Sequence, residues 1–211
     1  SRTGYVSSLK AVQTFRTNAS SGSAVAVTDQ VGGINPAVAD AGAGAAGSAL
    51  NTATGVFSAG PSGTAQSFTN ATIGASSVIH VNFGFNFDAI VNVGNSGPGS
   101  LRQFLTNANA LGNAGLAQSG RPAGIENAIW MISNGTAAAG LRSANNYFTG
   151  GVATIAPTSA LPVVSGPVVL DARTQPGWTS APILELNGAG AGASANGLSI
   201  TAGGSTVKGL V

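Results

Sequence analysis

From Ile79 to Val93 the chain reads IHVNFGFNFDAIVNV, with an apolar residue at every second position. The odd positions are Ile79, Val81, Phe83, Phe85, Phe87, Ala89, Val91 and Val93. The even positions hold His80, Asn82, Gly84, Asn86, Asp88 and Asn92, with Ile90 the one large apolar exception. A period of two is that of a strand with one buried face. At about 3.3 Å per residue such a strand would run about 50 Å, whereas most strands end within about 10 residues. Two readings stand: one long strand, or two shorter strands joined at Gly84, which interrupts the polar face and would mark a bulge or bend. In both, the face carrying Ile79, Val81, Phe83, Phe85, Phe87, Val91 and Val93 is a candidate seam, filled within the chain or donated to a neighbour.

What surrounds this face is almost uncharged. Only 7% of the 211 residues are charged, against about 25% in ordinary globular proteins, while 43% are hydrophobic. The apolar fraction can fill a core, and there is too little charge to disorder the chain by repulsion. Its surface must be coated with hydroxyls, amides and small residues, as in β-solenoid or β-sandwich proteins of bacterial surfaces. The eight basic residues (Arg2, Lys10, Arg16, Arg102, Arg121, Arg142, Arg173 and Lys208) are scattered, and the net charge is only +2. No cluster can neutralise several phosphates together, which argues against nucleic acid as a partner. A charge-poor surface also resists self-association weakly.

The chain has no cysteine, which removes thiolate metal sites, thiol catalysis and disulfides. It has no run of about 18 apolar residues that would span a membrane as a helix. It starts at Ser1 and stops at Val211 within a strand-like segment, STVKGLV, so a piece of a longer chain or a processed product is expected.

Before the alternating stretch, residues 1–78 read as short β segments between loops. SGSAVAVTDQV (Ser21 to Val31) has a strand-like centre, AGAGAAGSAL (41–50) reads as a loop, and Gly60-Pro61-Ser62-Gly63 as a turn. After it comes NSGPGSLRQFLTNANAL. Ser100 is placed as a helix N-cap, with Gln103 three residues on to complete a capping box. Leu101, Phe104, Leu105, Ala108 and Leu111 then form one apolar stripe, and Gly112 is expected to end the helix. A lone amphipathic helix beside much β structure commonly covers a core end or a sheet edge. From Ile129 onward, IWMI, ATI, LPVV, VVLDA, ILELNG, GLSITA and TVKGLV are short apolar units between Gly, Pro, Ser and Asn. Such units point to stacked rungs of a parallel β-helix, with a sandwich as the alternative.

The order of FGFNFD, IVNVGNSGPGSLRQFLTNANAL, LDARTQPGW, ILELNGAGAG and GLSITAGGSTVKGLV resembles a family of large bacterial secreted surface proteins. In that family a GSLRQ helix caps the N-terminal end of a right-handed parallel β-helix, and the TQPG and STVxGL segments form early rungs. AVQTFRT through VGGINPAVADAGAG is similar to the β-rich module that precedes it. The resemblance implies an adhesin-like or structural role and carries no catalytic signature. One departure is Asp171-Ala172-Arg173, where Asp-Gly and a small polar residue would be expected.

The residues offer little chemistry. Gly42 to Gly47 matches GxGxxG but lacks a preceding strand, a good following helix and an acid about 20 residues on, so it reads as a loop. His80 is the single histidine; Asp88, on the same face, would lie about 26 Å away along a straight strand, too far for a catalytic pair. The acids Asp29, Asp40, Asp88, Glu126, Asp171 and Glu185 are too dispersed for a metal site. The strongest enzyme case is Asp171, Arg173, Glu185 and Lys208: if their strands stack, two carboxylates about 5–9.5 Å apart would suit glycoside hydrolysis. The competing reading is a surface ion pair between strands. Sequons at Asn18, Asn70 and Asn134 occur about as often as chance supplies. Trp130, Trp178, Tyr5 and Tyr147 are too dispersed to form a sugar-stacking platform and read as core or turn packing.

The sequence therefore predicts an all-β protein with one short helix. A β-sandwich-like module at 1–88 precedes the capped start of a right-handed parallel β-helix at 89–211. The expected function is that of a non-enzymatic, secreted, cell-surface structural protein, a building block of a fibre, filament or giant adhesin, without cofactors. Its expected partners are copies of itself, neighbouring modules of one long chain, and surface glycans. The alternative is a carbohydrate-binding or polysaccharide-degrading β-helix protein. Besides the seam, the candidate residues are those of the helix cap: Ser100, Leu101, Gln103, Phe104 and Leu105.

Overall fold

The computed structural model describes residues 9–17, 21–25, 73–136 and 146–211. The loop expected at 41–50, the turn at 60–63, the GxGxxG match and the end of SGSAVAVTDQV lie outside these, as do Arg2, Tyr5, Asn18, Asp29, Asp40, Asn70 and Arg142.

The strands in chain order are β1 (Val12–Thr17), β2 (Ala24–Val25), β3 (Phe83–Asn86) and β4 (Ala89–Ile90). Helix α1 (Leu101–Ala110) follows. Then come β5 (Glu126–Asn127), β6 (Ile129–Trp130), β7 (Phe148–Thr149), β8 (Val152–Ile155), β9 (Val168–Asp171), β10 (Leu184–Leu186) and β11 (Thr206–Lys208). They form three three-stranded sheets, β2-β1-β3, β10-β8-β7 and β11-β9-β5, and the pair β4-β6.

This overturns the predicted fold class. Among the described residues there is neither a β-sandwich nor a long parallel β-helix; there are small mixed sheets and one helix. Parallel pairing does occur. Ile90 lies opposite Trp130, Glu126 opposite Val168, Leu170 opposite Val207 and Leu184 opposite Ala153. But β1 pairs antiparallel with both β2 and β3, and β7 with β8. Strand length limits the sheets. Asp171 and Asn187 each accept a hydrogen bond from the backbone N–H two residues on, starting the 3-10 turns Ala172–Thr174 and Gly188–Gly190 directly after β9 and β10. Local side-chain bonds of this kind compete with the ladder. The β7–β8 reversal follows from Gly150 and Gly151 (φ 60° and 86°), since a two-residue hairpin loop with both φ positive matches the strand twist and glycine takes it without strain.

The alternating stretch is not one strand. It is interrupted at Phe87–Asp88, between β3 and β4, rather than at Gly84. The Asp88 N–H donates to Asn86 Oδ1 at 2.6 Å, a local turn that stops the ladder. The irregularity near Gly84 falls on its partner. Gln13 lies opposite Phe85 and Phe15 opposite Gly84, so Thr14 is the extra residue of a bulge in β1.

Helix α1 starts at Ser100, whose hydroxyl accepts from the Gln103 N–H at 3.1 Å. The Ser100 N–H donates to the Gly97 carbonyl at 3.2 Å, and the Gln103 side chain donates to Asn107 Oδ1 at 2.9 Å. At the other end Leu111, not Gly112, breaks the helix by turning extended (φ −86°, ψ 132°). Leu101, Phe104, Leu105 and Ala108 bury their stripe in the main core, with Ile90, Trp130, Ile132, Ile155, Leu170 and Leu184. Removing a large apolar side chain from water contributes about 1.5–3 kcal/mol, so the stripe rather than helix propensity holds α1 in place. Phe104→Ala is expected to lower unfolding free energy by about 3–5 kcal/mol in urea titrations.

Candidate assembly site

Several backbone segments in this protein end beside something other than a strand, and side-chain amides meet them. A primary amide offers the same donor and acceptor as a peptide group. Asn107 of α1, 1% exposed, uses both. Its Oδ1 accepts from the Lys10 N–H at 3.2 Å, and its Nδ2 donates to the carbonyls of Lys10 and Phe87, each at 2.9 Å. The Gln103 amide fixes the same Oδ1. Two residues on, around the helix from Asn107, Asn109 Nδ2 donates to the Val163 carbonyl at 2.7 Å and its Oδ1 accepts from the Ser165 N–H at 3.0 Å. Gln175, 2% exposed, accepts from the Ile132 N–H and donates to the Ile132 carbonyl, both at 2.9 Å. In each case an amide sits where the next strand's peptide would lie.

Arg102 completes the hold of α1 on the 158–165 segment. Its guanidinium donates to the carbonyls of Asn95, Ala160 and Ser159 at 2.8, 2.6 and 2.8 Å. Its N–H groups are thus directed at neutral carbonyl oxygens. On the other side of this segment Val164 pairs parallel with Ile200, so the helix covers one edge of an extended stretch whose opposite edge is already paired.

The predicted seam does not form one surface. Ile79 and Val81 are 73% and 42% exposed. The side chains of Phe83 and Phe85 lie outside the described residues. Phe87 is half-buried. Val91 packs with Val12 and Ala89 in a small cluster against Met131, and Val93 against the main core. The residues of the helix cap, Ser100, Leu101, Gln103, Phe104 and Leu105, are all buried. Asn107, Asn109 and Gln175 were not singled out by sequence. The only signal for Asn107 is its spacing of four from Gln103, beside the apolar stripe.

The carboxylates of the enzyme reading are engaged separately. Asp171 Oδ1 and Oδ2 accept from Arg173 Nε and Nη2 at 2.8 and 2.7 Å. Glu185, in a different sheet, accepts from the Thr154 hydroxyl at 2.7 Å. The Arg173 hydrogen bond holds Asp171 below the usual carboxylate range, with Lys208 adding a weaker push in the same direction. A carboxylate held ionised is a poor proton donor. Asp88 accepts from Gln118 at 2.6 Å, while the His80 ring lies over Gly22, where a Cβ would come within 2.9 Å of Nδ1. Trp130 is fully buried and Trp178 and Tyr147 half-buried; Asn134 is exposed. Among the described residues no three His, Asp or Glu side chains are grouped to hold a metal ion, and no helix is long and apolar enough to cross a membrane.

Comparison with protein-family models, with curated proteins and with solved structures finds no match.

Asn107→Ala removes the partner that the Lys10 N–H and carbonyl have at this partly buried contact. A loss of about 1–3 kcal/mol is expected in urea unfolding, together with faster amide exchange at Lys10. Asp171 supplies a pH-dependent term. Its folded pKa lies below the unfolded one, so its contribution is complete above the unfolded value, about 3.9, and is lost as pH falls through the folded value. The contribution is small because Arg173 is 45% exposed. The stability gap between the native chain and Asp171→Asn, followed by thermal melts, is expected to be constant above about pH 5 and to shrink below about pH 4.

Proposed function

We propose that this chain is a non-enzymatic structural building block of a bacterial surface fibre, filament or giant adhesin, secreted to the cell surface and assembled through strand contacts. The observation that carries the reading is an unfinished edge. Ile200 and β11 pair on one side only among the described residues, with Val164 and with β9. Around them Ile200 and Val207 stay 39% and 41% exposed. An exposed strand with apolar side chains and little charge is a template for another strand. Natural proteins that remain apart protect such edges with charges, and here the only charge on β11 is Lys208. The separate engagement of Asp171 and Glu185 favours this reading over a polysaccharide-degrading one.

Sedimentation velocity across a wide concentration range tests it, with electron microscopy of concentrated protein. The expected result is concentration-dependent association into elongated particles. A chain that stays monomeric at millimolar concentration overturns the proposal, and specific binding on a glycan array or turnover in a lyase and hydrolase screen would replace it with the carbohydrate reading. Val207→Lys is expected to reduce association while changing monomer stability by no more than about 0.5 kcal/mol, because it places a charge on the exposed edge.

A further inference from the structure

Three Asn-Gly pairs occur in the chain: Asn134-Gly135, Asn187-Gly188 and Asn196-Gly197. Asparagine is among the thermolabile residues, and a glycine after it lacks the Cβ that would shield its backbone nitrogen. By sequence the three pairs are equivalent; the structure separates them. The Gly135 nitrogen, which would have to attack Asn134, donates its N–H to Ser133 Oγ at 3.1 Å, and Asn134 Oδ1 accepts from the Thr136 N–H at 3.0 Å. Asn134 is also bridged to Asn146. Asn187 Oδ1 accepts from the Ala189 N–H at 3.0 Å, and the Asn187 N–H donates to the Ile155 carbonyl at 2.9 Å. Its ψ of 105° turns the Gly188 nitrogen away from the Cα–Cβ bond, which ring closure requires it to eclipse.

Asn196 has none of these restraints. It and Gly197 are exposed, and neither makes a hydrogen bond among the described residues. Nothing lies within 4 Å of the place where a Gly197 Cβ would sit, and the Gly197 φ is outside the left-handed region. The side-chain carbonyl carbon and the next backbone nitrogen are therefore free to meet in attack geometry. We propose that Asn196-Gly197 is a site of spontaneous deamidation, the one of the three pairs that the fold leaves reactive. The Gly197 nitrogen attacks Asn196 Cγ. The N–Cγ bond forms, the Cγ–Nδ2 bond breaks, and Nδ2 leaves as ammonia with the proton from Gly197. Water then opens the succinimide. Attack at Cγ gives aspartate; attack at the main-chain carbonyl gives isoaspartate, which lengthens the backbone by one carbon. One water is consumed and one ammonia released, with no oxidant or reductant.

The product alters the edge on which the assembly reading rests. Asn196 lies in the run that leads into Ile200. There the Ser199 carbonyl accepts from the Val164 N–H at 2.8 Å, and the Thr201 N–H donates to the Val164 carbonyl at 3.0 Å. A new carboxylate brings negative charge to an edge where the only charge on β11 is Lys208, and charge at a strand edge opposes pairing with another strand. Isoaspartate adds a backbone carbon just ahead of these paired residues. Newly made chains thus associate more readily than aged ones. This consequence rests on the assembly reading; the site itself does not.

The native chain, aged in mildly alkaline buffer while folded, is mapped by peptide mass spectrometry that separates aspartate from isoaspartate. Asn196 is expected to convert first, about fivefold or more ahead of Asn134 and Asn187, the factor to which one lost hydrogen bond corresponds. In urea the three are expected to convert at similar rates. Equal rates in the folded chain, or a lead for Asn196 that persists in urea, overturns the site. Gly197→Ala, which meets no neighbour, is expected to slow the conversion and leave the circular dichroism unchanged. Conversion of that variant at the native rate overturns the mechanism. Sedimentation velocity reads the consequence: Asn196→Asp is expected to associate less than the freshly made native chain. Equal association overturns the effect on the edge and leaves the site standing. If the native chain does not associate at all, the assembly reading falls, and the peptide map alone decides the site.

Discussion

The structure depends on side-chain amides that behave as peptide groups. Apart from β1, the described strands are only two to four residues long and leave backbone donors and acceptors to be met by other groups where they end; burying such groups without partners costs more than a hydrogen bond contributes. Asn107, Asn109 and Gln175 each meet a backbone N–H and a carbonyl. Through them α1 binds both the N-terminal segment and the 158–165 segment, and the turn after β9 is joined to Ile132. A helix cannot extend a sheet, because its own peptide groups are already paired. Its amide side chains can, and that lets one helix cover two strand edges.

This arrangement also accounts for the scarcity of charge. An amide brings no net charge into the interior, so it can be buried without the desolvation cost of an ion. Arg102 shows the alternative: its guanidinium stays half-exposed and donates to carbonyl oxygens of the segments it joins. A protein held by neutral amides has little charge left with which to keep copies apart.

Much of the local structure could be read from residue order. The stripe Leu101, Phe104, Leu105, Ala108 and Leu111 is buried, and Ser100 caps its start. The short apolar units after Ile129 all supply strand or bridge residues. The hairpin at Gly150–Gly151 carries a legible turn signal in its paired glycines. The long alternating stretch misled. Alternation reports which faces are apolar, and it is silent about an Asn86 side chain that captures the Asp88 N–H and stops the ladder.

Sequence by itself determined the chemical boundaries of this protein: no thiol chemistry, no apolar run able to cross a membrane as a helix, a core of ample apolar content and an amphipathic helix after Ser100. These follow from composition and from periods of a few residues, which depend only on neighbours along the chain. Tertiary structure decided what the strands do. Whether Gln175 meets Ile132, whether Lys10 meets Asn107, and whether β8 pairs parallel with β10 while pairing antiparallel with β7 are contacts between distant residues. An amide in solution bonds equally well to water, so an asparagine in a sequence says nothing about its partner. Only its placement by the fold beside an unpaired stretch of backbone makes it a clasp.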